Sequence, residues 1–250
     1  MNDYFLLLIS GLLGGALNAV AGGGTFITFS ALVYAGVPSI AANASSTIAL
    51  FPGSVASVYA YRKDVGNFES VALKTMILAS LVGGGIGAFC LLFTSSKEFD
   101  SIVPWLVLVG SLAFIFAKPL RKLLQKKLGF SRSTILICQF FLGIYGGYFG
   151  GAAGVMMMAV WGLFGFMNLK LVNANKTLLV GAANATAVVI FIASGKIWWT
   201  QTCIMIVSTV AGGYFGAAYA RKLPQQYLQL MINTFIVLIN IFFFYRAYAR

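Results

Sequence analysis

Apolar residues come in long runs separated by short polar links. The runs fall at about 4–36, 43–61, 70–94, 103–118, 134–167, 172–195, 198–220 and 227–245. A helix needs about 20 apolar residues to cross a bilayer, so the pattern predicts an all-α polytopic membrane protein with roughly eight to ten spans. The links hold most of the charge: Arg62-Lys63-Asp64, Lys97-Glu98 with Asp100, and Arg221-Lys222. Trp105, Trp198-Trp199, Tyr245 and Tyr248 stand at run ends, where aromatic rings anchor to the membrane interface.

Two runs are too long for one crossing. As single helices, 4–36 and 134–167 would each measure about 50 Å, against a hydrocarbon core of about 30 Å. Each has a glycine cluster in its middle, Gly22-Gly23-Gly24 in the first and Gly150-Gly151 with Gly154 in the second. Glycine is a poor residue for helix interiors. Each run is therefore expected to break into two helical pieces. The first piece either continues across the bilayer or folds back as a re-entrant hairpin, and the length favours the hairpin.

The chain also repeats itself. GLLGGALNAVAGGG from Gly11 matches GIYGGYFGGAAG from Gly143. Asn43-Ala44 and Thr47 match Asn173-Ala174 and Thr177, and Val82-Gly83-Gly84 with Gly87 matches Ala211-Gly212-Gly213 with Gly216. This divides the chain into a first transmembrane repeat at 1–117, a basic linker at 118–132 and a second repeat at 133–250, with about four spans in each repeat. A first segment that crosses once makes the repeats parallel; a hairpin inverts them. Repeats that enclose glycine-interrupted segments at matching positions point to a secondary transporter with its site at the repeat interface.

Composition narrows the class. Of 250 residues, 60% are hydrophobic and 9% are charged, where a soluble domain has about 25% charged. Disorder, a nucleic-acid-binding domain and an ordinary cytosolic enzyme are excluded. The net charge is +12, and six of the cations (Lys118, Arg121, Lys122, Lys126, Lys127, Arg132) lie in the linker. The positive-inside rule places this linker in the cytoplasm, beside anionic lipid headgroups. The expected location is the bacterial plasma (inner) membrane. The N-terminus has no basic n-region, so 1–20 reads as a first membrane segment rather than a cleaved leader. Cys90, Cys138 and Cys203 form no CxxC pair, and there is no His. The cysteines read as packing residues, and neither a metal nor a cofactor is expected.

The acids Asp3, Asp64, Glu69, Glu98 and Asp100 all fall at the terminus or in links. An intramembrane enzyme needs a general base or a metal cage, and a proton pump normally has a carboxylate or His in mid-membrane. The segments offer neutral polar clusters instead: Asn18 with Gly22, Gly23, Gly24 and Thr25; Asn43, Ser45, Ser46 and Thr47; Asn173, Asn175, Lys176 and Thr177; and Asn184. Backbone N–H groups at the helix breaks, Gly150 and Gly154 included, attract anions. Asn, Ser and Thr add donors without charge. A small oxyanion fits such a set. The same residues also serve as helix-packing glue. Lys176 either faces the anion or snorkels to the interface. Lys74, Lys170 and Lys196 read as helix-end cations. Faces such as Gly83 with Gly87 and Gly212 with Gly216 pack within the chain or across a homodimer.

At these residues a family resemblance emerges. NAVAGGGTFITFSAL from Asn18, GVPSIAANASSTIALFPGS from Gly36, GIYGGYFGGAAG from Gly143 and VNANKT from Val172 resemble the sulfite exporter TauE/SafE family. The resemblance covers essentially the whole chain. It implies a permease of two repeats that exports a small anion: sulfite, thiosulfate, sulfoacetate or another organosulfonate. It points to Gly22 to Thr25, Asn43 to Thr47 and Asn173 to Thr177 as site residues. Ser30 stands where many relatives have Pro. An anion channel on the same scaffold and a non-transporting membrane scaffold or accessory subunit are the alternatives.

Overall fold

The structure, a computed structural model, describes all residues except 1, 69–70, 125–130, 167, 221, 223–224 and 249–250. Of the charged residues named above, Glu69, Lys126, Lys127 and Arg221 lie outside the described residues. The helices are α1 (Asn2–Ala21), α2 (Gly24–Tyr34), α3 (Ser39–Tyr61), α4 (Leu73–Leu92), α5 (Ser96–Leu124), α6 (Arg132–Tyr148), α7 (Ala153–Leu163), α8 (Leu169–Ala193), α9 (Trp199–Ala220) and α10 (Gln225–Tyr248). Their lengths run 20, 11, 23, 20 and 29 residues, then 17, 11, 25, 22 and 24. There is no strand among the described residues. Residues 118–124 continue α5, so the first part of the basic segment is helical.

Both long apolar runs break at their glycine clusters, as their lengths require. Gly22 stands at φ +77° between α1 and α2. Between α6 and α7, Gly150 is at φ +74° and Ala152 at φ +60°. After the first break the chain turns back. Thr28 packs against Gly14, and Gly24 lies against Asn18 and the Gly14 carbonyl. A continuous helix would hold residues 14 and 28 about 21 Å apart, so α1 and α2 form a hairpin.

Among the described residues, three helices are long and apolar enough to cross a membrane: Leu73–Leu92, Lys170–Ala193 and Trp199–Tyr219. The more polar α3 is buried along most of its length, enclosed by α1, α2, α8 and α9, so its Ser, Asn and Thr side chains do not meet lipid.

Close packing rests on glycine. Lipid is as apolar as leucine, so helices in a bilayer associate through van der Waals fit, and small residues bring backbones together. On α4, a Cβ at Gly87 would strike the Ile144 carbonyl of α6, and one at Gly83 the Phe140 carbonyl. On α9, a Cβ at Gly212 would strike the Leu12 carbonyl of α1, and one at Gly216 would meet Ala16. The small-residue faces are thus used inside the chain. Cys90 and Cys203 correct the packing expectation: both are exposed on the outer surface of the bundle. Trp105, Trp198, Trp199, Tyr245 and Tyr248 are exposed, as anchors should be. Trp105 also donates to the Tyr248 hydroxyl (2.8 Å).

Contacts set the helix directions. α1 runs parallel to α9, with Gly11 beside Met205, Gly15 beside Thr209 and Ala16 beside Gly216. α3 runs the same way, with Ser45 at Trp198 and Ser57 at Gly213. α6 runs parallel to α4, with Gly143 at Ser80 and Tyr148 at Gly87. α8 is antiparallel to α3, with Gly181 at Ser54 and Asn173 at Tyr61. α5 and α10 are antiparallel, joined at Trp105–Tyr248 and Ser111–Asn240.

Candidate functional site

The two breaks touch. A Cβ at Gly22 would lie 2.5 Å from the Gly154 α-carbon. Around Gly150, the same construction meets the Thr25 hydroxyl at 3.2 Å and the Thr47 hydroxyl at 3.7 Å. Gly22, Gly23, Gly24, Thr25, Asn43, Thr47, Gly150 and Gly154 therefore gather at one buried crossing. Two short helices start there, α2 and α7. Neither of their N-cap residues, Gly23 and Ala152, caps the helix with a side chain. The first N–H groups of a helix have no partner within it, and the helix dipole makes that end positive. Two positive helix ends at one buried point form an anion-attracting environment.

The other polar residues are placed as follows. Asn18 donates to Ser54 (3.0 Å) close to the first break. Ser46 shares a hydrogen bond with Thr28 of α2 (2.6 Å). Ser45 turns away from Asn43 and Thr47 and accepts from the Trp198 N–H (3.1 Å) at the start of α9. Thr47 and Thr177 each donate back to the carbonyl four residues earlier, those of Asn43 and Asn173 (both 2.9 Å). Asn173 donates to the Tyr61 hydroxyl (2.8 Å), and Asn175 clasps Gly66, donating to its carbonyl (2.7 Å) and accepting its N–H (3.3 Å). These last two therefore tie α8 to the end of α3 and its following loop. Asn184 is buried with its Oδ1 unpartnered.

Lys176 neither snorkels nor points to solvent. It is fully buried, and its ammonium donates to the Ala19 carbonyl (3.0 Å) and the Val20 carbonyl (3.2 Å). These lie in the last turn of α1, where carbonyls have no intrahelical partner and carry the negative end of the helix dipole. Asn43 does the matching task on α6: its Nδ2 donates to the carbonyl of Tyr148, the last residue of that helix (3.1 Å). So each broken helix ends on a side chain from the opposite half of the chain.

Two clefts flank this core. One, of about 500 Å³, lies where α3 and α9 end, lined by Arg62, Lys63, Lys170 and Lys222 with Tyr214. The other, of about 510 Å³, lies where α5 begins, lined by Lys97, Asp100, Phe29 and Phe243. Phe29 and Phe243 are stacked, with ring centroids 5.8 Å apart. They belong to a buried plug with Phe26, Phe99 and Phe149, whose centroid spacings include Phe26–Phe149 at 5.9 Å and Phe29–Phe99 at 6.0 Å. Phe26 follows Thr25 directly, so the plug separates this cleft from the crossing. Beside the basic cleft lies a small buried cluster of Ala19, Tyr61, Ala174 and Ala217. Neither the plug nor Tyr61 was singled out in the sequence. The chain holds 22 Phe, and such residues in apolar runs carry no signal of their own.

Comparison with known proteins agrees with this architecture. Residues 7–243 match the family described as sulfite exporter TauE/SafE. The chain is 29% identical over 237 residues to the probable membrane transporter protein YfcA of Escherichia coli K12, covering 94% of this chain and 86% of that one. It is 27% identical over 215 residues to a probable membrane transporter protein of Haemophilus influenzae, covering 85% and 83%. No solved structure matches. The chain is a multi-pass membrane transporter and not an enzyme. From Leu7 to Phe243, nearly its whole length, it belongs to the TauE/SafE sulfite exporter family.

Proposed function

We propose that this chain carries a small oxyanion between the two clefts, bound at the crossing where α2 and α7 begin. The observation that carries this reading is the pair of uncapped helix starts meeting in a buried place. An oxyanion's oxygens only accept hydrogen bonds, and the N–H groups in the first turns of α2 and α7 are the donors for them. The Thr25 hydroxyl adds a donor without adding charge. Sulfite, thiosulfate, sulfoacetate or a related sulfonate is the substrate class, in line with the family's name.

In this reading α1–α5 and α6–α10 are repeats in inverted orientation. The order of helix lengths supports it, as do the opposite directions of α3 and α8. The hairpins α1–α2 and α6–α7 enter the bilayer from opposite faces without crossing. The basic cleft, the end of α5 and the start of α6 lie at one end of the bundle, which the positive-inside rule makes cytoplasmic. Movement of one hairpin against the other would open each cleft in turn.

Gly23→Asp tests the site. Asp is a preferred N-cap residue, and a Cβ at Gly23 meets ring atoms of Phe26 at 3.4 and 3.6 Å and the Leu17 side chain at 3.9 Å, all ordinary or flexible contacts. The carboxylate takes the α2 amides and repels an anion. In proteoliposomes, counterflow of sulfite, thiosulfate or sulfoacetate falls to background while the apparent melting temperature holds. Gly23→Asn, which caps without charge, loses less. Wild-type flux in Gly23→Asp would sink the site.

A further inference from the structure

The C-terminal ends of the two broken helices are treated differently. At α1 the carbonyls of Ala19 and Val20 receive a resident cation, the Lys176 ammonium. At α6 the Tyr148 carbonyl receives only a neutral amide from Asn43. The offset that pairs Asn43 with Asn173 sets Ser46 opposite Lys176, so the α6 side has no built-in cation. Oxygen atoms collect there instead. The Oδ1 of Asn43 is buried, in a fully buried residue, and has no partner. The Thr25 hydroxyl, the Gly146 carbonyl and the Thr47 hydroxyl stand 3.2, 3.6 and 3.7 Å from the space a Gly150 side chain would fill. The Gly146 carbonyl receives no backbone N–H from the residues of the break.

We infer that this oxygen cluster binds a monovalent cation, with Na⁺ as the ion of best fit. Asn43, Thr47, Thr25 and the exposed carbonyls of α6 supply the oxygens. The atoms available are hard oxygens, which select alkali and alkaline-earth ions over transition metals. They are neutral, whereas Ca²⁺ and Mg²⁺ sites draw on carboxylates; no Asp or Glu is buried among the described residues. The cluster sits on the negative end of a broken helix, the place where carbonyl ends coordinate coupling ions in transporters. It completes at α6 what Lys176 supplies at α1. Lys176 is thus a tethered counterpart of the exchangeable ion. A cation there faces the uncapped starts of α2 and α7, so cation and anion at the crossing favour each other's binding. That mutual effect rests on the oxyanion reading; the cation site itself does not.

The test separates the two. Purified protein in detergent is melted in sodium, potassium, lithium and choline gluconate at one ionic strength, with no oxyanion present. A saturable stabilisation by Na⁺ is expected, absent in choline. Thr25→Val and Thr47→Val keep side-chain shape while removing one oxygen, and Thr47 bonds only within its own helix. Each should raise the Na⁺ concentration for half-maximal stabilisation at least ten-fold while leaving the melting temperature in choline near wild type. Equal stabilisation by all four cations, or an unchanged Na⁺ response in both variants, overturns the site. Sulfite flux is then measured with and without Na⁺. Na⁺ binding without sulfite flux keeps the cation site and removes sulfite as the substrate; flux that ignores Na⁺ despite binding removes the coupling alone.

Discussion

The first helix break and the second do the same job with different parts. At the first, α1 ends on a buried ammonium and the chain turns at Gly22. At the second, α6 ends on a neutral amide and the chain passes through Ala152 in the left-handed region. A built-in charge on one helix end and none on the other means that, without a bound cation, the first hairpin is locked electrostatically while the second helix end is held by a neutral hydrogen bond. The aromatic plug also touches the second break, because Phe149 lies within it and packs tilted against Phe26 and edge-on against Phe99. The α6–α7 hairpin is therefore the element expected to move, with α1–α2 as its more rigid partner.

The largest effect should come from removing the lock. Lys176→Met keeps much of the side-chain volume but leaves the Ala19 and Val20 carbonyls unpaired in a buried place. Stripping the partner from buried polar groups costs about 2–3 kcal/mol here. The apparent melting temperature should drop accordingly in detergent. A Lys176→Met protein as stable as wild type would mean that the ammonium is not what holds α1.

A smaller loss is expected at the second break. Asn43→Leu removes one neutral hydrogen bond to the Tyr148 carbonyl, worth about 1 kcal/mol. The order of the two effects is what matters. If Asn43→Leu destabilises as much as Lys176→Met, the breaks are equivalent and the mobile-hairpin reading fails.

How much of this was legible beforehand depended on range. Glycine at a break is a local property, so the division of both long runs at Gly22–Gly24 and Gly150–Gly151 could be read directly from spacing and length. The hairpin followed from length too, since 4–36 could not fit a single crossing. The role of Lys176 could not be read. Its partners are 156 and 157 residues away, and a lysine in an apolar run looks the same whether it faces an anion, a helix end or the interface. Ser45 illustrates the opposite error. It lies between Asn43 and Thr47 in sequence, yet a helix turns its side chain about 100° per residue, and it points to the start of α9 instead. Asn173 and Asn175 had the right spacing for a site, but their partners are the Tyr61 hydroxyl and the Gly66 backbone.

The smallest effect is expected at Ala152. Ala152 is the one non-glycine residue with positive φ among the described residues. Its Cβ crowds the following carbonyl in that region, a cost of about 1–2 kcal/mol for an L-residue. Ala152→Gly removes that strain but makes the unfolded chain freer, which takes back about 0.4–1 kcal/mol. The net is a gain of about 0.5–1 kcal/mol, seen as a small rise in apparent melting temperature. The reverse change at the other break, Gly22→Ala, is a much larger perturbation, since φ is +77° there and the new Cβ would press on the Gly154 backbone. A stabilised Ala152→Gly protein that transports more slowly would show that the strained alanine keeps the second hairpin ready to move. If it transports at the wild-type rate, the strain is incidental, and the difference between the hairpins rests on Lys176 and Asn43 alone.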